Sequence, residues 1–132
     1  MRRDFSRVPH AAITVLVADG DRVLHEQIAA LLVESGMVGV IGTALDARSA
    51  LRAMDEAAPD LVILSASLPG TAELRDGMDV LRWIKQARPH TAVVMLADRA
   101  DAVARDVALQ FGALAYLNKS CELEQLLSLV MM

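Results

Sequence analysis

The stretch DLVILSASLPG, residues 60–70, contains an apolar run that leads directly into a loop ending in Pro-Gly. An uninterrupted apolar run of this length is typical of a strand that is covered on both faces of a parallel sheet. In open sheets of this kind, ligands bind beyond the carboxyl ends of the strands. The residues at this end are Ser65, Ala66 and Ser67, so the predicted strand reaches that edge without a charged side chain.

Four other apolar runs of similar length are spaced along the chain, and amphipathic stretches separate them. The five predicted strands are residues 13–18, 37–42, 61–66, 92–97 and 113–117. Apolar residues at three- and four-residue spacing predict five helices, the last of which carries Leu123, Leu126, Leu127 and Val130. This alternation predicts a doubly wound α/β fold, in which a five-stranded parallel sheet has helices on both faces.

Residues at the element boundaries agree with this alternation. Asp46 and Ser120 stand where helix N-caps are expected. Gly36 and Gly112 stand where helices are expected to end. We expect residues 1–11 to form a loose N-terminal tail and residues 12–132 to form one domain.

The composition argues against several classes of protein. With 55% hydrophobic and 3% aromatic residues, the 132-residue chain is long enough to bury one aliphatic core. A net charge of -4 leaves no broad basic surface for nucleic acid. The single cysteine, Cys121, cannot form an internal disulfide, and the apolar runs are too short to span a membrane. We therefore expect a cytoplasmic protein that binds neither nucleic acid nor membrane directly.

Four residues stand at the carboxyl ends of predicted strands. Asp19 follows the first strand, Ser65 and Ala97 lie at the ends of the third and fourth, and Lys119 follows the fifth. Because the ends of parallel strands share one edge of a sheet, we expect these residues to lie together. Lys119 could neutralise a phosphate there, pair with Asp19 or be an ordinary solvated lysine, and spacing does not separate these alternatives.

Enzymatic and metal-binding interpretations of this edge have little support. Ser65 lacks the G-x-S-x-G elbow of hydrolases, and no histidine lies at the predicted edge to act as its base. Asp19 and Asp21 could hold Mg²⁺, but Asp21 is better explained as the acid that starts a helix. We therefore predict no catalytic residue and no metal ligand.

The chain resembles the receiver domain of two-component response regulators, with matches from Val15 to Val130. The four segments that carry the resemblance are VLVADGDRVLHEQIAALL, APDLVILSASLPG, DGMDVLRWIK and GALAYLNKS. The resemblance implies a flavodoxin-like sheet of strand order 2-1-3-4-5 with five helices. It also implies the family's usual activity, in which an aspartate accepts a phosphoryl group from a histidine kinase while acidic neighbours bind Mg²⁺.

Matched residue by residue, the resemblance implies a degenerate phosphorylation site. The acidic pair of the family falls on Asp19 and Gly20, so one metal-organising acid is absent. The phosphoacceptor aspartate falls on Ser65, and the hydroxyl residue that senses the phosphoryl group falls on Ala97. We therefore expect weak or absent Mg²⁺ binding and no other cofactor.

Two further matches concern signalling. Lys119 corresponds to the lysine of the family site, and Tyr116 to the aromatic residue that acts as a rotating switch. The resemblance also implies a dimer or partner face formed by residues 99–111, 113–118 and 121–132. The leading hypothesis is thus a pseudo-receiver that acts by binding proteins, without phosphorylation, and regulates a DNA-binding output domain outside this chain.

Two alternative functions remain open at this point. One is a small-ligand sensor, in which an anion or metabolite binds near Ser65, Ser67, Arg99 and Lys119. The other is a receiver that is still phosphorylated, on a substitute residue such as Asp21 or Asp60.

Overall fold

The computed structural model describes residues 13–34, 36, 38–99 and 101–119, in which strands and helices alternate. The strands are β1 (Ile13–Ala18), β2 (Val38–Ala44), β3 (Leu61–Ser65), β4 (Ala92–Ala97) and β5 (Ala115–Asn118). The helices in these ranges are α1 (Arg22–Glu34), α2 (Ala47–Ala57), α3 (Gly77–Ala87) and α4 (Ala102–Gln110). The predicted tail, the predicted N-cap Ser120 and the predicted fifth helix lie outside the described residues.

The strands form one parallel sheet in the order β2-β1-β3-β4-β5, which confirms the predicted doubly wound topology. The order reverses between β1 and β3, where such sheets place their functional sites. The register pairs Ala18 with Leu64 and Ser65 with Leu96, and Ala97 pairs with Asn118. The ends of β1, β3, β4 and β5 are therefore level with one another along the carboxyl edge.

The sheet is buried on both faces, as the continuous apolar runs predict. Successive residues of a strand point to opposite faces, so each run supplies two layers of the core. One layer packs around α1 and contains Val15, Val17, Ile28, Leu32, Ile63 and Leu96. The other packs under α2, α3 and α4 and contains Leu16, Met54, Leu64, Leu81, Ile84, Met95 and Ala108.

The predicted boundaries of three strands were wrong by one or two residues. β2 continues beyond its predicted end because Thr43 and Ala44 still pair with β1. β3 ends one residue earlier than predicted, at Ser65. β5 covers Ala115–Asn118 instead of 113–117, because its pairing with β4 begins at Ala115. Strand ends follow hydrogen-bonded partners, and the apolar pattern of one segment does not contain that information.

The predicted helix boundaries are supported by local contacts. Asp46 caps α2 by accepting a hydrogen bond from Ser49 N at 2.8 Å. Hydrogen bonds from the hydroxyl and amide of Ser49 lower the pKa of the Asp46 carboxyl below its ordinary value of 3.8. Gly36 and Gly112 adopt φ angles of 74° and 104°, the left-handed conformation in which helices commonly end.

Within the described ranges, no helix combines the length and apolar character needed to cross a membrane.

Candidate functional site

A buried ion pair joins two of the predicted site residues at the carboxyl edge. Lys119 Nζ lies 2.9 Å from Asp19 Oδ2, and the two side chains are 10% and 4% exposed. Asp19 follows β1 and Lys119 follows β5, two strands that are separated in the sheet by β3 and β4. The ion pair therefore connects the ends of two strands that are not neighbours, and the long lysine side chain allows this contact.

Asp98 is a member of this cluster that our sequence analysis missed. Its Oδ1 lies 3.6 Å from Lys119 Nζ, and its side chain is mostly exposed. The available signal was its position directly after the fourth apolar run, which is equivalent to the position of Asp19 after the first. Because Asp98 is solvated, we expect it to contribute much less than Asp19 to the pair.

The second oxygen of Asp19 organises the start of α1. Asp21 N donates to Asp19 Oδ1 at 2.8 Å, and Leu24 N donates to Asp21 Oδ1 at 3.1 Å. Asp21 therefore lies at the beginning of α1 with its carboxylate used as a helix cap. This geometry agrees with the helix-start interpretation of Asp21.

Ser65 ends β3 as a buried residue whose hydroxyl interacts with the next turn. Its Oγ lies 3.2 Å from Ser67 Oγ and accepts a hydrogen bond from Ser67 N at 3.2 Å. The following backbone is tied to β4 and α3, since Ala66 N donates to Leu96 O and Ala66 O accepts from Gly77 N. The end of β3 therefore carries an uncharged hydroxyl, that of Ser65, whose hydrogen bonds are with Ser67 in the following turn.

Ala97 and Tyr116 lie on the neighbouring strands. Ala97 is buried at the end of β4, and its methyl group offers no hydrogen bond. Tyr116 is half-buried on β5 and packs against the core layer that lies under α2, α3 and α4. Burial raises the pKa of its hydroxyl above the ordinary value of 10.0, and the negative charge of Asp101 raises it further.

The residues at this edge do not fit a magnesium site. Mg²⁺ requires several oxygen ligands, usually including carboxylates. Asp19 Oδ2 is ion-paired with Lys119, Gly20 carries no side chain and Ser65 supplies only a neutral hydroxyl. Among the residues that the structure describes, no three His, Cys, Asp or Glu side chains converge as a metal site would require.

The remaining candidate residues do not belong to the cluster formed by Asp19, Asp98 and Lys119. Asp60 precedes β3 at the opposite edge of the sheet, where Oδ2 accepts hydrogen bonds from Thr14 N and Oγ1 at 2.9 and 3.1 Å. Arg99 is exposed in the loop after β4. A cavity of about 540 Å³ lies between α1, the end of β2 and the start of α2, and neither Ser65 nor Lys119 lines it.

Comparison with known sequences identifies relatives for nearly the whole chain. Protein-glutamate methylesterase/protein-glutamine glutaminase 2 of Koribacter versatilis is 34% identical over 112 residues, which cover 83% of this chain and 30% of that protein. The uncharacterized transcriptional regulatory protein YhcZ of Bacillus subtilis is 30% identical over 112 residues, which cover 85% of this chain and 50% of the relative. The chain thus spans half or less of the length of these two relatives.

Comparison with solved structures and family models agrees with the fold. The signal receiver domain of NarL from Mycobacterium tuberculosis superposes with a TM-score of 0.81 at 27% identity, covering 91% of this chain and 94% of that one. The family model described as response regulator receiver domain matches residues 15–131. The chain therefore belongs to the family of response regulator receiver domains.

Proposed function

We propose that this receiver domain signals through protein contacts and does not accept a phosphoryl group at the end of β3. The observation that carries this proposal is the neutral Ser65 hydroxyl, which stands where the family resemblance expects the acceptor aspartate. An aspartate is ionised at neutral pH, whereas a serine hydroxyl needs a base to become a nucleophile. The contact recorded for this hydroxyl is with Ser67, which is not a base.

The charges around Ser65 support the same proposal. Lys119 and Asp19 neutralise each other within the buried edge, so the aspartate does not need a metal ion to compensate its charge. Gly20 and Ala97 lack the carboxylate and hydroxyl that the family resemblance assigns to their positions. The proposed site is therefore a fixed structural cluster, and the domain is not an enzyme.

The alternative of phosphorylation on a substitute residue has less support. Asp60 lies at the opposite edge and is held by Thr14, whereas Asp21 caps α1. A small-anion sensor would use Lys119, but its ammonium group already pairs with Asp19 and Asp98. The geometry therefore favours protein contacts over either alternative.

The surface that we propose for these contacts is the α4–β5 face, and the proposed partner is a second copy of the chain. Val103 and Leu114 are large apolar residues that are 73% and 58% exposed there, and Leu109 adds to the same region. Large apolar side chains that stay exposed on one helix and its neighbouring strand favour an interaction surface there. Residues 121–132, which complete the proposed face, lie outside the described part of the chain.

We further propose that the dimer regulates a DNA-binding output domain in the cytoplasm. Support comes from relatives such as YhcZ, a transcriptional regulatory protein of which this chain covers 50%. The methylesterase activity named for the other relative is not transferred, because this chain covers only 30% of that protein.

Titration with Mg²⁺ and then beryllofluoride tests the absence of phosphoryl chemistry. Beryllofluoride mimics a phosphoryl group on an aspartate that has bound metal, so we expect no saturable amide NMR shifts at Asp19, Ser65 or Lys119. A receiver domain with a complete acidic site, treated with the same reagents, is the control. Saturable shifts at Ser65 that spread to Tyr116 would show that the site still works.

A charge placed on the α4–β5 face tests the partner proposal. We expect Leu114→Glu to convert dimer to monomer in light scattering, because a carboxylate would have to be buried in the contact. Val23→Glu is the matched control, since Val23 is 65% exposed on α1, which packs on the other face of the sheet. A monomeric parent protein, or equal effects of the two substitutions, would contradict a dimer through this face.

A further inference from the structure

Gly20 lies directly against the ring of Pro69, so a side chain at this position would crowd that ring. A β-carbon at this position would lie 2.8 Å from Cδ and 3.0 Å from Cγ of Pro69. Carbon atoms pack favourably at about 3.5–4.0 Å, so the proline ring occupies the space that a side chain would need. The backbone conformation does not require a glycine at position 20. Among the described residues, positive φ angles occur at Gly36, Gly112 and Ala58, and Gly20 is not one of them.

The proline ring is held in place from both sides. The Pro69 carbonyl accepts a hydrogen bond of 2.8 Å from Ala47 N, the first residue of α2. The preceding residue, Leu68, is buried in the core, and its amide donates to Ser65 O. Because the ring is also rigid, it cannot rotate away from Gly20 as a flexible side chain would.

We propose that Gly20, Pro69 and Ala47 form a conformational latch that closes the β3–α3 loop over the starts of α1 and α2. The latch consists of the Pro69 ring on Gly20 and the hydrogen bond from Ala47 N to Pro69 O. A β-carbon at position 20 would force the Pro69 ring to move, so it would strain the closed loop. A partner that needs the loop to open must therefore break the hydrogen bond to α2, which couples the loop to that helix. This inference goes beyond the proposed function and does not depend on it.

A double-mutant cycle of Gly20→Ala and Pro69→Ala tests the latch. We expect Gly20→Ala alone to lower the thermal midpoint by about 5 °C, because the new methyl group must displace the loop. We also expect amide hydrogen exchange at Ala47 to become roughly tenfold faster, since the loop and α2 separate more often. In the Pro69→Ala background, which removes Cγ and Cδ, the same glycine substitution should have little effect on either measurement.

Gly39→Ala is the matched control for the glycine substitution. A β-carbon at Gly39 would have as its nearest neighbour Ile13 O at 3.9 Å, which is an ordinary contact. Equal thermal midpoints for Gly20→Ala and Gly39→Ala, with unchanged exchange at Ala47, would overturn the latch. The latch would also be overturned if Gly20→Ala lowered the thermal midpoint by the same amount in the Pro69→Ala background. If Gly20→Ala does not fold, folding of the double variant supports the latch and its failure to fold overturns it.

Discussion

Replacement of Lys119 by methionine is expected to lower the free energy of unfolding by about 3 kcal/mol or more. Removing one partner of a buried ion pair leaves an uncompensated charge in a place with little water, at a cost of roughly 3–5 kcal/mol. The Asp19 side chain is only 4% exposed, so water cannot easily take over the role of the ammonium group. Urea unfolding of the parent and the Lys119→Met variant at neutral pH measures this difference.

The same experiment can separate the unpaired charge from lost packing. Asp19→Asn in the Lys119→Met background removes the buried negative charge but keeps an oxygen that can accept from Asp21 N. We expect this double variant to recover most of the lost stability, which makes the two substitutions strongly non-additive. Arg105→Met, at an exposed position of α4, is the control for replacing a cation by methionine. A loss for Lys119→Met no larger than that of the control would show that the pair is not buried as described.

Substitution of Gly77 by alanine is expected to destabilise the domain by at least about 3 kcal/mol. Gly77 is the buried first residue of α3, and its amide donates to Ala66 O at 3.1 Å. A β-carbon at Gly77 would overlap the carbonyl oxygen of Ser65 and crowd the backbone of Ala66. Insertion of atoms into a packed site commonly costs about 1–3 kcal/mol, and backbone atoms cannot move as side chains do.

Two measurements distinguish this steric effect from an ordinary glycine substitution. Gly77→Ala is compared with Gly39→Ala in urea unfolding, because the nearest atom to a β-carbon at Gly39 is 3.9 Å away. Amide shifts of Ser65 and Ala66 then report whether α3 has moved from the end of β3. Similar stabilities for the two variants, with unchanged shifts at Ser65, would mean that α3 does not approach the strand as closely as the structure indicates.

The local pattern of the sequence predicted the elements and the edge at which the site lies. Continuous apolar runs require burial on both faces, and the helical segments between them require parallel strands. Once the strands are parallel, residues after the first, fourth and fifth runs must meet at one edge, and the structure brings Asp19, Asp98 and Lys119 together there. The boundaries of β2, β3 and β5 were less certain because they depend on the partner strand.

The strand order itself came from the family resemblance, because alternation alone does not state which strands are neighbours. The absence of a charge at the end of β3 was visible in the sequence, since it depends only on the identity of Ser65. Its interpretation as a lost phosphoacceptor stays a prediction, which beryllofluoride titration addresses.

Sequence by itself therefore determined the class of fold, the two-sided core and the residue types available at the carboxyl edge. The tertiary structure alone decided which of these residues touch, including the Lys119–Asp19 pair and the contact of Pro69 with Gly20. The physical reason is that apolar periodicity acts over a few neighbouring residues, whereas these contacts join segments that are far apart in the chain. Their distances depend on strand register and on the path of the loops, which are fixed only when all the layers pack together.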